Sequence, residues 1–460
     1  MTRTGGTSGS TDAVPFRTAL RAWLAISLQT FGGPAGQIAV MHRNLVDDKR
    51  WIGERRFQHA LNYCMLLPGP EAQQLAIYTG WLLNGLRGGL AAGILFILPG
   101  MAALYLLSVL YITFGETTAV AAIFAGLGPA VIAIVTQAVT RVAKRALTTR
   151  SLTALALMAF LALTLFHIPF PVVLFGAALT GLLLRPTLAR TAGNASGHDN
   201  SPDSPAPLIP DETIDTKHPG RTRPLRVLLL GIVLWTTPVA LVALTTGIGS
   251  TITTQGLFFS GTALITFGGA YAVLTFVAQH AVETYHWVTA NEMVRGLGLA
   301  ETTPGPLIMV LQFVAFLGAY THPGSLNPWL AGTIAALLTT WVTFVPSFLF
   351  IFLGAPYLER LRSNHTLSAA MTGITAAVVG VIANLGVYFA THTLFTGTSA
   401  ISWGPISLAI PAIEQLRPSA AAITLVALAL IFRLRWPVPR TLATCAGLGI
   451  LTALADWPIT

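Results

Sequence analysis

Apolar residues fill this chain in long unbroken runs, not in the alternating or one-face patterns of soluble strands and helices. Uncharged stretches extend from Gly88 to Gly115, Thr117 to Thr140, Val227 to Gln279, Pro323 to Leu358 and Thr366 to Ala390. Each reaches the roughly 20 apolar residues that a bilayer crossing needs. Shorter apolar candidates lie at Ser151 to Phe166, Pro171 to Leu184, Pro418 to Phe432 and Thr441 to Ala455. One segment, 191–224, breaks the pattern with Pro, Ser, Asp and Gly and has no hydrophobic period, so it reads as a disordered cytoplasmic linker between two halves, 16–190 and 225–460. Residues 1–15 form a polar tail without the apolar core and cleavage site of a secretory signal.

The halves are copies of one another. "FGGPAGQIAV" from Phe31 aligns with "FGGAYAVLTF" from Phe267, an offset of 236 that also carries Trp51 onto Trp287 and Pro68-Gly69-Pro70 onto Pro304-Gly305-Pro306. Pro99 then aligns with Pro346, and Gly126 with Gly373, at an offset of 247. Basic residues cluster at Arg43, Lys49, Arg50, Arg55 and Arg56, at Arg87, and at Arg141, Lys144, Arg145 and Arg150, while the connections near Glu116 and His167 have none. In the second half the bias is exchanged: Arg360 and Arg362 stand in the equivalent of the Glu116 loop, and Arg433, Arg435 and Arg440 in that of the His167 loop. Because basic loops stay cytoplasmic, the pattern predicts an all-α polytopic membrane protein whose two homologous halves form an inverted-topology repeat with broken helices, about six membrane segments per half.

Composition agrees with a membrane protein: 53% of residues are hydrophobic and 9% charged, against roughly 25% charged in soluble domains. The formal charge of +9 is explained by loop cations that set orientation, so no nucleic-acid partner is expected. Cys64 and Cys445 stand far apart in apolar surroundings and read as packing residues. His42, His59 and His167 have no metal-ligand spacing, and the chain lacks HExxH, GxxxxGK[ST] and any Cys/His cluster. Neither a metal, a cofactor nor an enzyme is expected.

The two Pro-Gly-Pro breaks carry the candidate chemistry. Pro removes a backbone donor and clashes with the preceding turn, and hydrocarbon tolerates the resulting irregular backbone only where it is buried in protein or lines a wet cavity. A helix restarting after the break aims free N–H groups and its positive dipole end at that cavity, where an anion can bind. Gly32, Gly33, Gly268 and Gly269 permit close backbone approach to a ligand or to a neighbouring helix; the alternative is that all of these elements only kink and pack helices. Glu71 opens the helix after the first break, and Glu301 precedes the second in surroundings where a fixed negative charge is costly. Both are candidates for proton coupling. Gln37, Gln73, Gln74, Tyr271, Thr302 and Thr303 are candidate donors to an oxyanion or glue between helices. Arg43, Lys49, Arg50, Arg55 and Arg56 are candidates for an anion funnel or for topology alone.

With "FGGPAGQIAV", "LVDDKRWIGERRFQHALNYCMLLPGPEAQQLAIYTGWLLNG" and "FGGAYAVLTF…ETTPGPLIMV" in view, the chain resembles the chromate ion transporter family in its long-chain, two-half form, from about Phe16 to Ala455 apart from the linker. The resemblance implies export of chromate from the bacterial cytoplasm across the inner membrane, driven by the proton motive force and conferring chromate resistance. Sulfate is implied as a competing analogue, and a homodimer is admitted. Matched motif by motif, the family's signatures fall on Gly32, Gly33, Pro34, Pro68, Gly69 and Pro70, and on Gly268, Gly269, Pro304, Gly305 and Pro306. Two departures stand out: Ala270 follows the second Gly pair where the first has Pro34, and Gln37 stands where many relatives have His. A sulfate-type oxyanion transporter or a passive anion channel is the rival expectation.

Overall fold

The computed structural model describes residues 14–31, 33–184, 208–209, 222–354, 365–403 and 406–455. Gly32, most of the tail and linker, and Arg360 and Arg362 lie outside them. The first half contains α1 (Phe16–Gln29), α2 (Gly33–His42) running into a π-helical turn (Arg43–Asp48), α3 (Glu54–Cys64), α4 (Glu71–Phe114), α5 (Thr118–Ala146), α6 (Arg150–Phe166) and α7 (Phe170–Leu183). Then come α8 (Thr222–Thr246), α9 (Thr251–Ile265), α10 (Ala270–Gln279) with its own π turn (His280–Thr284), and α11 (Ala290–Thr302). A 3-10 turn (Leu307–Met309) leads into α12 (Val310–Thr321), followed by α13 (Pro328–Gly354) and α14 (His365–Leu394). A hairpin of β1 (Thr398–Trp403) and antiparallel β2 (Ile406–Pro411) precedes α15 (Pro418–Leu428), a π turn (Ala429–Arg433) and α16 (Val438–Leu454).

Several boundaries follow directly from the chain. As one rod, the 44 residues of α4 would measure about 66 Å, twice the hydrocarbon thickness of about 30 Å. The helix instead breaks at Asn84 and Gly85, where Gly85 takes φ +60°. The Asn84 amide closes the break by donating to the Val14 carbonyl at 2.6 Å. The uncharged run from Val227 to Gln279 is not one segment either. Gly247 at φ +90° and the cap at Ser250, which accepts from the Thr253 N–H, separate α8 from α9. Gly268 and Gly269, both at positive φ, separate α9 from α10. Among the described residues, five helices are long and apolar enough to cross a membrane: α4, α5, α8, α13 and α14.

The element series repeats along the chain. Arg50 shares a left-handed conformation with its counterpart His286, and His167 shares one with Arg435. The π turns after α2 and α10 match. Helix α5, starting at Thr118, corresponds to α14, starting at His365, while α6 and α7, starting at Arg150 and Phe170, correspond to α15 and α16, starting at Pro418 and Val438. The spacing between copies therefore widens after α14, where the β hairpin is inserted into one loop. That hairpin is the one departure from an all-helical chain among the described residues. Helix α8 has no counterpart among the described residues of the first half. Within the segment expected to be a disordered linker, Leu208 and Ile209 make backbone hydrogen bonds of 3.1 Å to the Arg50 and Trp51 carbonyls.

The halves exchange partners. Helix α5 packs against α14, α15 and α16, and α14 packs against α6 and α7. The helices α5 and α14 are antiparallel: Gly128 faces Thr393, and Val135 faces Gly386. Glycine sets the closest approaches. A Cβ at Gly373 would lie 2.8 Å from the Gly181 Cα, and a Cβ at Gly126 would clash with the Cys445 carbonyl, which is the equivalent contact between α5 and α16. Such small residues let membrane helices touch backbone to backbone. One core, drawn from the second part of α4 through to α16, surrounds Phe259, Phe313 and Phe389; a second, mostly from α1 to α4, surrounds Trp23, Phe57 and Phe96.

Replacing Gly126 or Gly373 by Leu is expected to cost about 1–3 kcal/mol or more by overpacking, lowering the melting temperature in detergent. Gly176→Leu, where a Cβ meets nothing within 4 Å, leaves it unchanged. With Cys64 and Cys445 replaced by Ala, Gly128→Cys with Thr393→Cys forms a disulfide on mild oxidation, whereas Gly128→Cys with Met371→Cys, at the other end of α14, does not.

Candidate functional site

Both Pro-Gly-Pro breaks fold the same way. Gly69 takes φ +121° and Gly305 φ +107°, a region that side-chain-bearing residues avoid. The Gly69 N–H donates to the Thr266 carbonyl at 2.7 Å, and the Gly305 N–H donates to the Thr30 carbonyl at 2.9 Å. Each break therefore closes on the end of the helix before the other half's Gly pair. Behind Gly305 lies Gly100, whose Cα is 3.3 Å from where a Gly305 Cβ would sit. Ser347, the counterpart of Gly100 in the second half, stands in the same place behind Gly69. Two amides complete the breaks: Gln74 Nε2 donates to the Pro68 carbonyl at 2.7 Å, and Gln37 Nε2 donates to the Gly305 carbonyl.

Four helix starts converge between the breaks. A small cavity of about 10 Å³, room for one water, is lined by Pro34 and Gln37 of α2, Pro70, Glu71 and Ala72 of α4, Gly269 and Ala270 of α10, and Pro306, Leu307 and Ile308 of the turn before α12. The first N–H groups of a helix have no intrahelical partner and carry the positive end of its dipole. The cavity thus gathers partial positive charge from both halves without a cationic side chain in its wall. Gly33 and Gly269 sit at positive φ with open space where a Cβ would project, and at Gly269, which lines the cavity, main chain stands where a side chain would otherwise be.

The titratable groups are arranged unequally. Glu71 lines the cavity itself. Glu301 is buried outside that wall and accepts a hydrogen bond from the Tyr271 hydroxyl. Arg141 is within electrostatic reach of Glu301 and Tyr271, and Arg145 of Glu71. On sequence these two arginines mark only a basic loop, because their reach across α5 to the breaks depends on packing. The buried amide of Gln73 has neither its oxygen nor its nitrogen paired among the described residues, and the oxygens of Gln37 and Gln74 are likewise unpaired.

The remaining candidates are dispersed. Thr302 and Thr303 donate their hydroxyls to the Leu299 and Ala300 carbonyls and so end α11 outside the cavity wall. Pro68 and Pro304 lie behind the breaks, and Gly268 rests against Val378. Arg43, Lys49, Arg50 and Arg55 are exposed on the π turn and the start of α3, with Arg56 half-buried among them. Lys49 lies 5.9 Å over the Trp51 ring. Nearby, His42 holds two carboxylates, Asp47 at 3.3 Å and Glu54 at 2.6 Å, a cluster that spacing along the chain does not indicate.

This geometry has sequence relatives. The chain is 32% identical over 384 residues to a chromate transport protein of Pseudomonas aeruginosa, covering 82% of each chain. It is 26% identical over 390 residues to one of Cupriavidus metallidurans, covering 84% of this chain and 86% of the relative. An uncharacterized transporter of Methanocaldococcus jannaschii is 23% identical over 369 residues, 80% of this chain and 83% of the relative. No solved structure matches. The family described as chromate transporter matches in two blocks, residues 18–182 and 254–450, which are the two copies of the helix series that builds the cavity, and the chain is therefore a multi-pass membrane protein of the chromate transporter family.

Proposed function

We propose that this protein exports chromate from the bacterial cytoplasm across the inner membrane, drawing on the proton motive force and thereby conferring chromate resistance. The observation that carries the reading is the convergence of four helix starts on one cavity between the Pro-Gly-Pro breaks. Chromate is a tetrahedral oxyanion, and helix N-termini bind such groups through several N–H donors at once. Names borne by the relatives support chromate as the substrate, and sulfate, of the same shape and charge, is the expected competitor. An inside-negative potential favours outward movement of a dianion by about 2.3 kcal/mol per charge per 100 mV.

The cavity is too small for an oxyanion as it stands, so its walls must part during transport. Antiparallel packing of the equivalent helices α5 and α14, together with the exchanged basic loops, supports an inverted-topology repeat in which one half rocks against the other. Glu71 shares the cavity with the anion, and Glu301 is held by Tyr271. A carboxylate beside a bound dianion is repelled unless it takes up a proton, which links proton occupancy to anion occupancy. The proton then leaves with the anion, the pair carries a net charge of −1 outward, and the inside-negative potential, the electrical part of the proton motive force, drives that movement.

In everted vesicles, wild-type protein is expected to accumulate chromate when a proton gradient is imposed, with excess sulfate reducing uptake. Glu301→Gln is expected to lower the gradient-dependent part about tenfold or more, and uptake indifferent to gradient and substitution would leave a passive anion pathway instead. Gly305→Ala forces a side chain into a strained φ at a cost of about 1–3 kcal/mol, and transport is expected to fall while Gly176→Ala matches wild type. For topology, Thr148→Cys and Leu434→Cys in a Cys64→Ala, Cys445→Ala background are expected to react with an impermeant maleimide only in everted vesicles, and Glu116→Cys only from the outer face.

A further inference from the structure

Two arginines of the second half do not fit the topology rule. Arg295 on α11 and Arg417 before α15 stand at the ends of the helices where Lys and Arg are otherwise absent. The antiparallel pairing of α5 with α14 puts the start of α5 beside the end of α14, away from the Arg141 to Arg145 end of α5. There the two arginines line a cavity of about 170 Å³, together with Asn291, Thr393, Ser419 and Thr452. That is more than ten times the roughly 10–15 Å³ needed to hold a water.

Neither guanidinium has an acidic partner: among the described residues neither forms an ion pair. Arg295 is positioned by its own surroundings, with Nη1 donating to the Tyr111 hydroxyl at 3.1 Å and Cζ 5.4 Å from the centre of the Phe124 ring. Arg417 is tied at its backbone, whose N–H donates to the Leu394 carbonyl at 2.7 Å, while its buried Nε has no hydrogen-bond partner. Of the nearby carboxylates, Glu292 is committed to the capping box at Thr289, and Glu116 lies at the start of α5. A half-buried guanidinium with an unpaired donor is costly, and a tetrahedral oxyanion satisfies it because the planar fork matches two of its oxygens.

We infer that the Arg295–Arg417 cavity is a second oxyanion site, separate from the central cavity and on the opposite side of the protein from the Arg43 to Arg56 cluster. It takes a free divalent tetrahedral oxyanion of the sulfate or chromate class. Its place as an outer waiting point on the export path rests on the function proposed above; the binding itself does not.

The test uses full-length protein in nanodiscs of zwitterionic lipid, treated with phenylglyoxal and followed by mass spectrometry of each arginine. Sulfate is expected to slow modification of Arg295 and Arg417 severalfold, chloride at equal ionic strength to leave it unchanged, and Arg433 and Arg440 to react alike in both. In Arg295→Gln, sulfate protection of Arg417 is lost. Equal slowing by chloride, or none by sulfate, overturns the site. Protection by phosphatidylglycerol nanodiscs alone, with sulfate adding nothing, overturns it in favour of a lipid phosphate. Because this readout needs no transport, a protein that moves no chromate yet shows the protection retains the site and loses only the export reading. For its place on the path, Arg295→Gln with Arg417→Gln is expected to raise half-saturation by external sulfate in right-side-out vesicles about tenfold, well beyond any change at the cytoplasmic face in everted vesicles. Equal changes on both faces mark a merely structural role and overturn the path assignment.

Discussion

Everything at the centre of this protein depends on two hydrogen bonds. Gly69 and Gly305 each lie in a helix break, where the backbone has lost its own partners, and each donates to a carbonyl at a helix end of the other half, Thr266 and Thr30. An unpaired peptide group away from water costs several kcal/mol, so neither break is stable alone. Each half completes the other, which places the joint between halves and the irregular backbone at the same point. A cavity walled by free helix starts is the result.

The symmetry of that joint is one of backbone. At the positions equivalent to Gln37, Glu71, Tyr271 and Glu301 stand Val273, Leu307, Ala35 and Met65, so these polar side chains belong to one copy each. Main-chain groups of both halves face the cavity, while the two carboxylates, Glu71 from the first half and Glu301 from the second, occupy places that the repeat does not relate. The elements outside the repeat, α8 and the β hairpin, leave the joint untouched.

Glycine serves two different ends here. At Gly69 and Gly305 it permits a backbone conformation, and at Gly126, Gly181 and Gly373 it permits contact between helices whose φ is ordinary. Both uses bring main chain where a side chain would stand. The same need for space holds Ser347 and Gly100 against the two breaks.

The sequence by itself was sufficient to determine the membrane class, the two copies with their offsets of 236 and 247, and the breaks at Pro68 and Pro304, because hydropathy and proline act locally and leave a mark at their own positions. It also singled out Glu71 at the helix start after the first break, Gln37 as a candidate donor, and Glu301 as a carboxylate in apolar surroundings. It did not separate the residues that line the cavity from those that only end a helix, since Thr302 and Thr303 carry the same hydroxyl whether it faces a ligand or the carbonyl of its own helix. Nor did it place Arg141 near Glu301, or bring Arg295 and Arg417 to one cavity from distant points of the chain. Those relations arise where helices of opposite halves cross, and a crossing is set by the summed packing of distant small residues, which only the tertiary structure decided.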